Sequence, residues 1–515
     1  MFSPVHPGTD TATTGTEKTE AESEAEEKAE TEKKSGVIEV LPVGNPEPAA
    51  QHPLGHGPCT EDVMNVQNAV LKAAKTGQKV LLKTDGDTPF NFGVFVPKTG
   101  NEWLSYGVHL FTGVSVEGEK NSAGNQTTIE NGWMVMRGFD LKGSGKVTVE
   151  GVHFKDFGAM ALYFEGIAED VMLEIRDNRI TASYYETFSG TKELDKYINT
   201  DVPELVDGPM SPEKEPGLYM KALRKLTFNP AVDLQQMGGG VYQVMEWWSM
   251  AINSQKVLGD VLIENNHIDL EEGSELPEED THVWWHTMAL MYGFVQGTIT
   301  FRGNTIINPS SHAIGGFALA GERVDQNNQI FLGPLGSYEF EKPMSREIAA
   351  GKLSVIGICA HNCMCPLEKF PKKIGKATFK GNVIICNRDK DALPLGILGG
   401  NGHTFESVEI VDNEVVLKNG STGITVKDVG NASVARNTLS GTAEYGIRVG
   451  SAEKVFPIQT SGNIFEDNDM SDLTVLSSHV YFDSDTNKNK ILGGKGTVTD
   501  KGSGNTLEGD YRAVD

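Results

Sequence analysis

The chain has 515 residues, 38% of them hydrophobic, with 58 glycines and a formal net charge of −26. That length admits one large solenoid or a few ordinary domains, and the glycine content suits strands and turns better than helices. The acid excess repels phosphate backbones and argues against a nucleic-acid partner, and no stretch is apolar over the roughly 20 residues needed to span a membrane.

Residues Met1 to Asp10 lack the basic start and apolar run of a secretory signal, so the chain as written reads as cytoplasmic. Five cysteines (Cys59, Cys359, Cys363, Cys365, Cys386) are too few for a disulfide scaffold at this length, and their odd number suits free thiols. From Thr11 to Gly36 the residues are mostly Thr, Glu, Ala and Lys. Such a segment cannot bury enough surface to offset its ordering entropy. With the Pro-containing stretch Pro42–Pro58 it makes residues 1–58 a disordered acidic tail and linker, leaving 59–515 as one domain.

Order is expected from about Thr60. Thr60 is a helix N-cap, followed by Glu61 and Asp62 where the helix dipole favours acids. Val63, Val66, Ala69, Val70 and Ala73 then share one face at helical spacing. Gly77 ends the helix, and Lys79–Lys83 reads as a strand. A short amphipathic helix here is placed to cover the open end of a solenoid, where unpaired strand edges invite aggregation.

The decisive pattern follows. Short β-prone stretches recur with an Asn at the turn: IRDNRI (Asn178), IENNHI (Asn266), FRGNTI (Asn304), FKGNVI (Asn382), IVDNEV (Asn413), VARNTL (Asn437) and TSGNIF (Asn463). The last four are separated by 31, 24 and 26 residues, within the window that marks repeat architectures. Asn at a repeated bend tolerates the left-handed backbone region, and its amide can bond backbone or the next Asn in a stack. Wider gaps earlier in the chain leave room for insertions near 183–255, 271–281 and 321–352, which in a solenoid tend to gather on one face, often the binding face. The fold class is all-β: a single-stranded right-handed parallel β-helix with an N-terminal amphipathic cap helix and a disordered acidic tail.

The Asn-turn coils, preceded by VQNAVLKAAKTGQKVLL and followed early by YGVHLFTGVSVEGE, resemble the pectate-lyase-like superfamily of right-handed β-helix proteins. The resemblance covers roughly four-fifths of the chain. It implies the fold and leaves the activity open, because that scaffold hosts lyases, hydrolases, epimerases, esterases and non-enzymatic adhesins. The polygalacturonase signatures do not carry over: the one Gly-His-Gly, at Gly55–Gly57, lies in the linker, and there is no Arg-Ile-Lys. The calcium-binding Asp set and catalytic Arg of pectate lyases cannot be matched residue by residue.

Two segments concentrate aromatic and titratable groups. One holds Glu246, Trp247 and Trp248; the other holds Asp280, His282, Trp284, Trp285 and His286. Aromatic faces stack on sugar rings, and nearby carboxylates or imidazoles bond hydroxyls or move protons. The expected substrate-binding residues are Trp247, Trp248, Trp284, Trp285 and His312. Asp280, His282, His286 and Glu246 are the catalytic candidates, with Glu246 and Asp280 as the carboxylate pair if the reaction is glycoside hydrolysis. The alternative is that one Trp of each pair faces the core. CAHNCMC, with Cys359, His361, Cys363 and Cys365, lacks paired C-x2-C knuckles, so no metal site is assigned. His403 and Arg448 would line the same face as His312 if the coils stack in register.

The leading expectation is a carbohydrate-active β-helix enzyme, a polysaccharide lyase or glycoside hydrolase, with a polysaccharide or oligosaccharide as partner. No cofactor is implied, and calcium enters only for a lyase. Two alternatives stay open: a non-enzymatic β-helix used for binding or surface display, and an intracellular enzyme of a small metabolite on the same scaffold.

Overall fold

The computed structural model describes residues 36–514 apart from 48, 55–57, 94–106, 121–123, 125, 131–133, 138–144, 156–159, 182–248, 271–286, 310–311, 334–355, 362–374, 388–391, 400–403, 419–421 and 451–459. Short strands wind into one parallel β-helix, in which each strand pairs with the strand one coil below and the strand one coil above. Three sheets result. Sheet A stacks Val171–Arg176, Asp260–Glu264, Thr298–Arg302, Glu322–Gln326, Lys376–Lys380 and Ser407–Val411. Sheet B stacks Arg179–Thr181, His267–Asp269, Thr305–Ile307, Gln329–Leu332, Val383–Cys386 and Glu414–Leu417. Sheet C stacks Met160–Ile167, Ser249–Val257, Thr287–Val295, His312–Leu319, Ile356–His361, Leu393–Leu398 and Ile424–Lys427. Right-handed winding is the sense in which a right-twisted strand returns to a parallel neighbour.

Period-two alternation explains the interior. In Thr298–Arg302, Ile299 and Phe301 are fully buried while Thr298, Thr300 and Arg302 face outward. The same phase in successive coils builds a column from Ile175 through Ile263 and Phe301 to Phe379 and Ile410.

The corner between sheets A and B is where the sequence pattern acts. Asn178, Asn266, Asn304, Asn328, Asn382, Asn413, Asn437 and Asn468 form a continuous ladder. At each inner rung the amide is saturated. Asn382 Nδ2 donates to the carbonyl of Asp325 at 3.0 Å and to Asn413 Oδ1 at 2.9 Å. Its Oδ1 accepts from the backbone N–H and Nδ2 of Asn328 at 3.0 and 2.9 Å. Two corrections to the expected series follow. Asn328, in QNNQI, is a rung that the sequence reading omitted. Asn463 is not the rung after Asn437; Asn468 is, and Asn463 starts a second ladder with Asn489 and Asn505 at the corner entering sheet A. The left-handed bend also falls one residue earlier than expected: Asp177, Asn265, Asn327, Asp412, Arg436 and Asp467 carry positive φ, and the Asn after each spends its amide on the ladder.

Three segments assigned to tail or insertion are regular structure. Val37–Val40, placed in the disordered region 1–58, pairs with Lys79–Leu82 and extends sheet A, with Val40 buried. Its β-branched alternation matches the free edge of the Lys79–Leu82 strand. Residues 249–255 belong to Ser249–Val257, and 321–332 supplies a full pair of strands with the rung Asn328. In the 321–332 segment Arg323 and Asp325 pair inside the coil, which composition by itself misreads as loop. Residues 1–35, 183–248, 271–281 and 334–352 lie outside the described residues.

Helix α1 (Glu61–Thr76) is capped by Thr60, whose hydroxyl accepts from Val63 N–H at 3.2 Å, and it ends at Gly77 in the left-handed region, φ 71°. Val63, Val66, Val70 and Ala73 are fully buried in the same core as the first strands. Asp62 is buried too, and its carboxylate accepts from the backbone N–H groups of Val43, Gly44 and Asn91 at 2.7, 2.8 and 2.9 Å. This fastens the segment after Val40 to the start of the helix.

Candidate functional site

Of the residues that sequence selected, Glu246, Trp247, Trp248, Asp280, His282, Trp284, Trp285 and His286 lie outside the described residues, as do His403, Cys363 and Cys365. The strands that continue from the two aromatic segments begin at Ser249 and Thr287, which are register partners on neighbouring coils of sheet C. His312, half-buried, opens the next strand of that sheet, in which Ile314 pairs with Leu290. Cys359 and Cys386 are buried on different sheets, C and B. Among the described residues no group of three or more His, Cys, Asp or Glu is arranged to hold a metal ion.

The densest chemistry among the described residues lies toward the C-terminal end of sheet C. There the stack continues from Ile424–Lys427 into Thr438–Val449, Leu473–Phe482 and Lys490–Asp500. Ile447, Val449, Val480 and Phe482 are buried, so the pleat turns Arg448 and its register partner Tyr481 outward. A bulge between Ala443 and Tyr445 shifts the register there, the device by which a strand re-aims a side chain. Tyr445 meets Tyr481 with ring centroids 4.7 Å apart and planes at 48°. The Arg448 guanidinium lies 5.8 and 5.9 Å from the two ring centroids, and its Nη2 donates to Asp483 Oδ2 at 3.3 Å. The Lys501 ammonium sits 5.4 Å from the Tyr481 ring, and its bond to the Tyr481 hydroxyl raises its pKa. Burial, reinforced by Glu444, raises the pKa of the Tyr445 phenol.

At the end of Ile424–Lys427, Asp428 is 6% exposed. Burial pushes its carboxyl up to about 6, the charge of Asp485 adds to the shift, and Lys427 opposes it. This part of sheet C thus joins two aromatic faces and two cations, with Asp428 following the neighbouring strand Ile424–Lys427. Sequence reading found Arg448 but missed Tyr445, Tyr481 and Asp428. The available signal was polar or aromatic residues between buried neighbours in GIRV and VYFD. His312 and Arg448 do share sheet C, but four strand spacings separate them, about 19 Å, so they do not form one site.

Parallel pairing from coil to coil, with a stacked Asn corner, decides the architecture. The fold is a parallel β-helix. No family model matches the sequence, and no curated protein does. Similar solved structures include the Streptococcus pneumoniae surface protein and adhesin PfbA, at 10% identity and TM-score 0.40 over 88% of this chain and 96% of that one. The A-module of the Azotobacter vinelandii mannuronan C-5 epimerase AlgE6 is similar at 10% identity and TM-score 0.33, over 88% and 96%. The catalytic unit of the GH87 α-1,3-glucanase of Streptomyces thermodiastaticus is similar at 10% identity and TM-score 0.37, over 93% and 69%. At such identity the likeness concerns the course of the backbone. No helix among the described residues is long and apolar enough to cross a membrane.

Proposed function

We propose that this protein is a carbohydrate-active β-helix, a polysaccharide lyase or glycoside hydrolase that holds its glycan along the outer face of sheet C. The observation that carries this reading is the Tyr445–Tyr481 pair with Arg448 against both rings. Aromatic faces match the C–H faces of sugar rings, and a guanidinium beside them bonds hydroxyls or a uronate carboxylate. Asp428 supplies a proton donor of suitable strength. The two Trp-bearing segments precede adjacent strands of the same sheet. A second reading, binding without catalysis, is favoured by the burial of Asp428, which limits its access to a scissile bond.

The test is a screen of the purified protein against uronic-acid and neutral glycans, run beside Tyr481→Ala, Trp284→Ala and His286→Ala. Loss of stacking in Tyr481→Ala is expected to weaken glycan binding by about tenfold, from roughly 0.5–1.5 kcal/mol plus lost contact area. Turnover that disappears in His286→Ala supports the enzyme. Binding without turnover of any glycan selects the second reading, and absence of binding to every glycan sinks both.

A further inference from the structure

We propose that the outer face of sheet B is an interface between two copies of this chain, packed in opposite directions about the coils from Thr305–Ile307 to Glu414–Leu417. The sequence of the strands marks that face. Strands of sheet A alternate: Thr298, Thr300 and Arg302 face outward while Ile299 and Phe301 are buried. In sheet B the alternation fails in successive coils, TII, QIFL, VIIC and EVVL. Ile306, Ile330, Ile384 and Val415 are buried in the core, yet the outward residue that follows each is also apolar: Ile307, Phe331, Ile385 and Val416. Parallel strands that are apolar on both faces belong to sheets covered on both faces.

Ile307, Phe331, Ile385 and Val416 are register partners from coil to coil, so they form one stripe about 14 Å long at the spacing of paired strands. Each is partly exposed, and Val383 in the neighbouring outward column widens the stripe. Polar residues bound it, Asp269 before Ile307 and Ser440 after Val416. These apolar side chains make no hydrogen bond, so a sugar laid on them would shed water from its hydroxyls without replacement. A second stripe of the same length and flatness fits, at the usual separation of about 10 Å between stacked sheets. Charge then chooses the direction. Two copies stacked in the same direction would set Asp269 against Asp269 and Glu414 against Glu414. A two-fold axis midway between Phe331 and Ile385 instead sets Glu414 opposite Thr305 of the second copy, Asp269 opposite Ser440, Phe331 opposite Ile385 and Ile307 opposite Val416. No carboxylate of these columns then faces another. A patch of this size falls short of the roughly 800 Å² per partner of a standard interface, so the dimer is weak and reversible, with a Kd of roughly 10–300 μM. It lies on sheet B and stands or falls independently of the sheet C reading.

The test is sedimentation equilibrium of the full chain from about 5 to about 500 μM, which brackets that range. Wild type, Phe331→Asp, Ile385→Lys and Thr300→Asp, a control on the outer face of sheet A, are compared after circular dichroism shows each to be folded. Wild type and Thr300→Asp are expected to dimerise reversibly. Phe331→Asp and Ile385→Lys should each weaken the dimer roughly tenfold or more, because each sets a charge against an apolar surface. An equimolar mixture of these two variants should recover a dimer, since the reversed packing brings the new carboxylate opposite the new ammonium. Packing in the same direction would not bring them together. Wild type that stays monomeric throughout overturns the proposal; if Phe331→Asp then weakens binding in the glycan screen, the stripe belongs to the ligand. Dimerisation unchanged in both single variants overturns it as well, as does a mixture that remains monomeric.

Discussion

Inside the coil at Glu322–Gln326 two charged residues occupy columns that are otherwise apolar, and breaking them apart tests how this interior is built. Arg323 stands between Ile299 and Ala377, and Asp325 between Phe301 and Phe379. Both are fully buried. Arg323 Nε donates to both Asp325 oxygens at 3.1 and 3.0 Å, and its Nη1 donates to the Cys359 carbonyl at 2.7 Å and the Tyr292 hydroxyl at 3.2 Å. The guanidinium also lies 5.0, 5.6 and 5.0 Å from the Tyr292, Phe301 and Phe379 ring centroids. Burial pushes the Tyr292 phenol up to about 12, against the pull of Arg323. Burial opposes the charge on Arg323, but Asp325 and Tyr292 outweigh it and hold the guanidinium protonated. Replacing Arg323 by Met leaves a buried carboxyl without its counter-charge, and Asp325→Asn leaves a buried cation. Each is expected to cost about 3–5 kcal/mol. Arg323→Ile with Asp325→Phe copies the Ile299 and Phe301 of the coil below. It removes both charges, but it leaves the Cys359 carbonyl and Tyr292 hydroxyl short of a donor, so a cost of about 1–3 kcal/mol is expected. Urea unfolding followed by fluorescence and circular dichroism would measure all three, with coincident transitions as the check on two-state behaviour. Single variants within about 1 kcal/mol of wild type, or a double variant as costly as the sum of the singles, would refute the reasoning.

Two further outcomes follow from the corners of the coil. Asn382→Leu strips four hydrogen bonds from the ladder, leaves buried donors of Asn328 unmet and takes the amide donor from the Asp325 carbonyl, while Asn413 Oδ1 keeps the Asn382 backbone N–H; a loss of about 3–5 kcal/mol is expected, measured by the same urea titration, and less than 1 kcal/mol would show that water replaces the rung. Asp428 has a folded pKa raised from 3.8 to about 6, so between those values the folded state keeps a proton that the unfolded chain releases. Its contribution is present below pH 3.8 and lost as pH rises through 6. Asp428→Asn should therefore gain up to about 3 kcal/mol relative to wild type at pH 7 and little at pH 4, in thermal or urea unfolding at the two pH values.

The repeat was legible because its cause is local. Each coil needs one residue that tolerates a tight bend and one amide that saturates a buried corner, and Asn after Asp, Asn or Gly writes both into the sequence, as at Asp177–Asn178 and Gly381–Asn382. The alternation that turns Ile299 and Phe301 inward is equally local, as are the Thr60 cap and the apolar face of α1. The sequence by itself thus determined the β-helix and most of its rungs. Tertiary structure decided what depends on register between coils tens of residues apart. Asn437 continues to Asn468 rather than Asn463 because the Ile464–Glu466 strand lies between the two corners. Arg323 and Asp325 read as a polar loop until the coil folds them into a space where each satisfies the other. Tyr445 and Tyr481 are 36 residues apart in the chain and meet only because one coil separates them in space. Spacing along a chain encodes the bend that each residue makes for itself, whereas stacking brings together residues whose separation depends on the length of every loop between them.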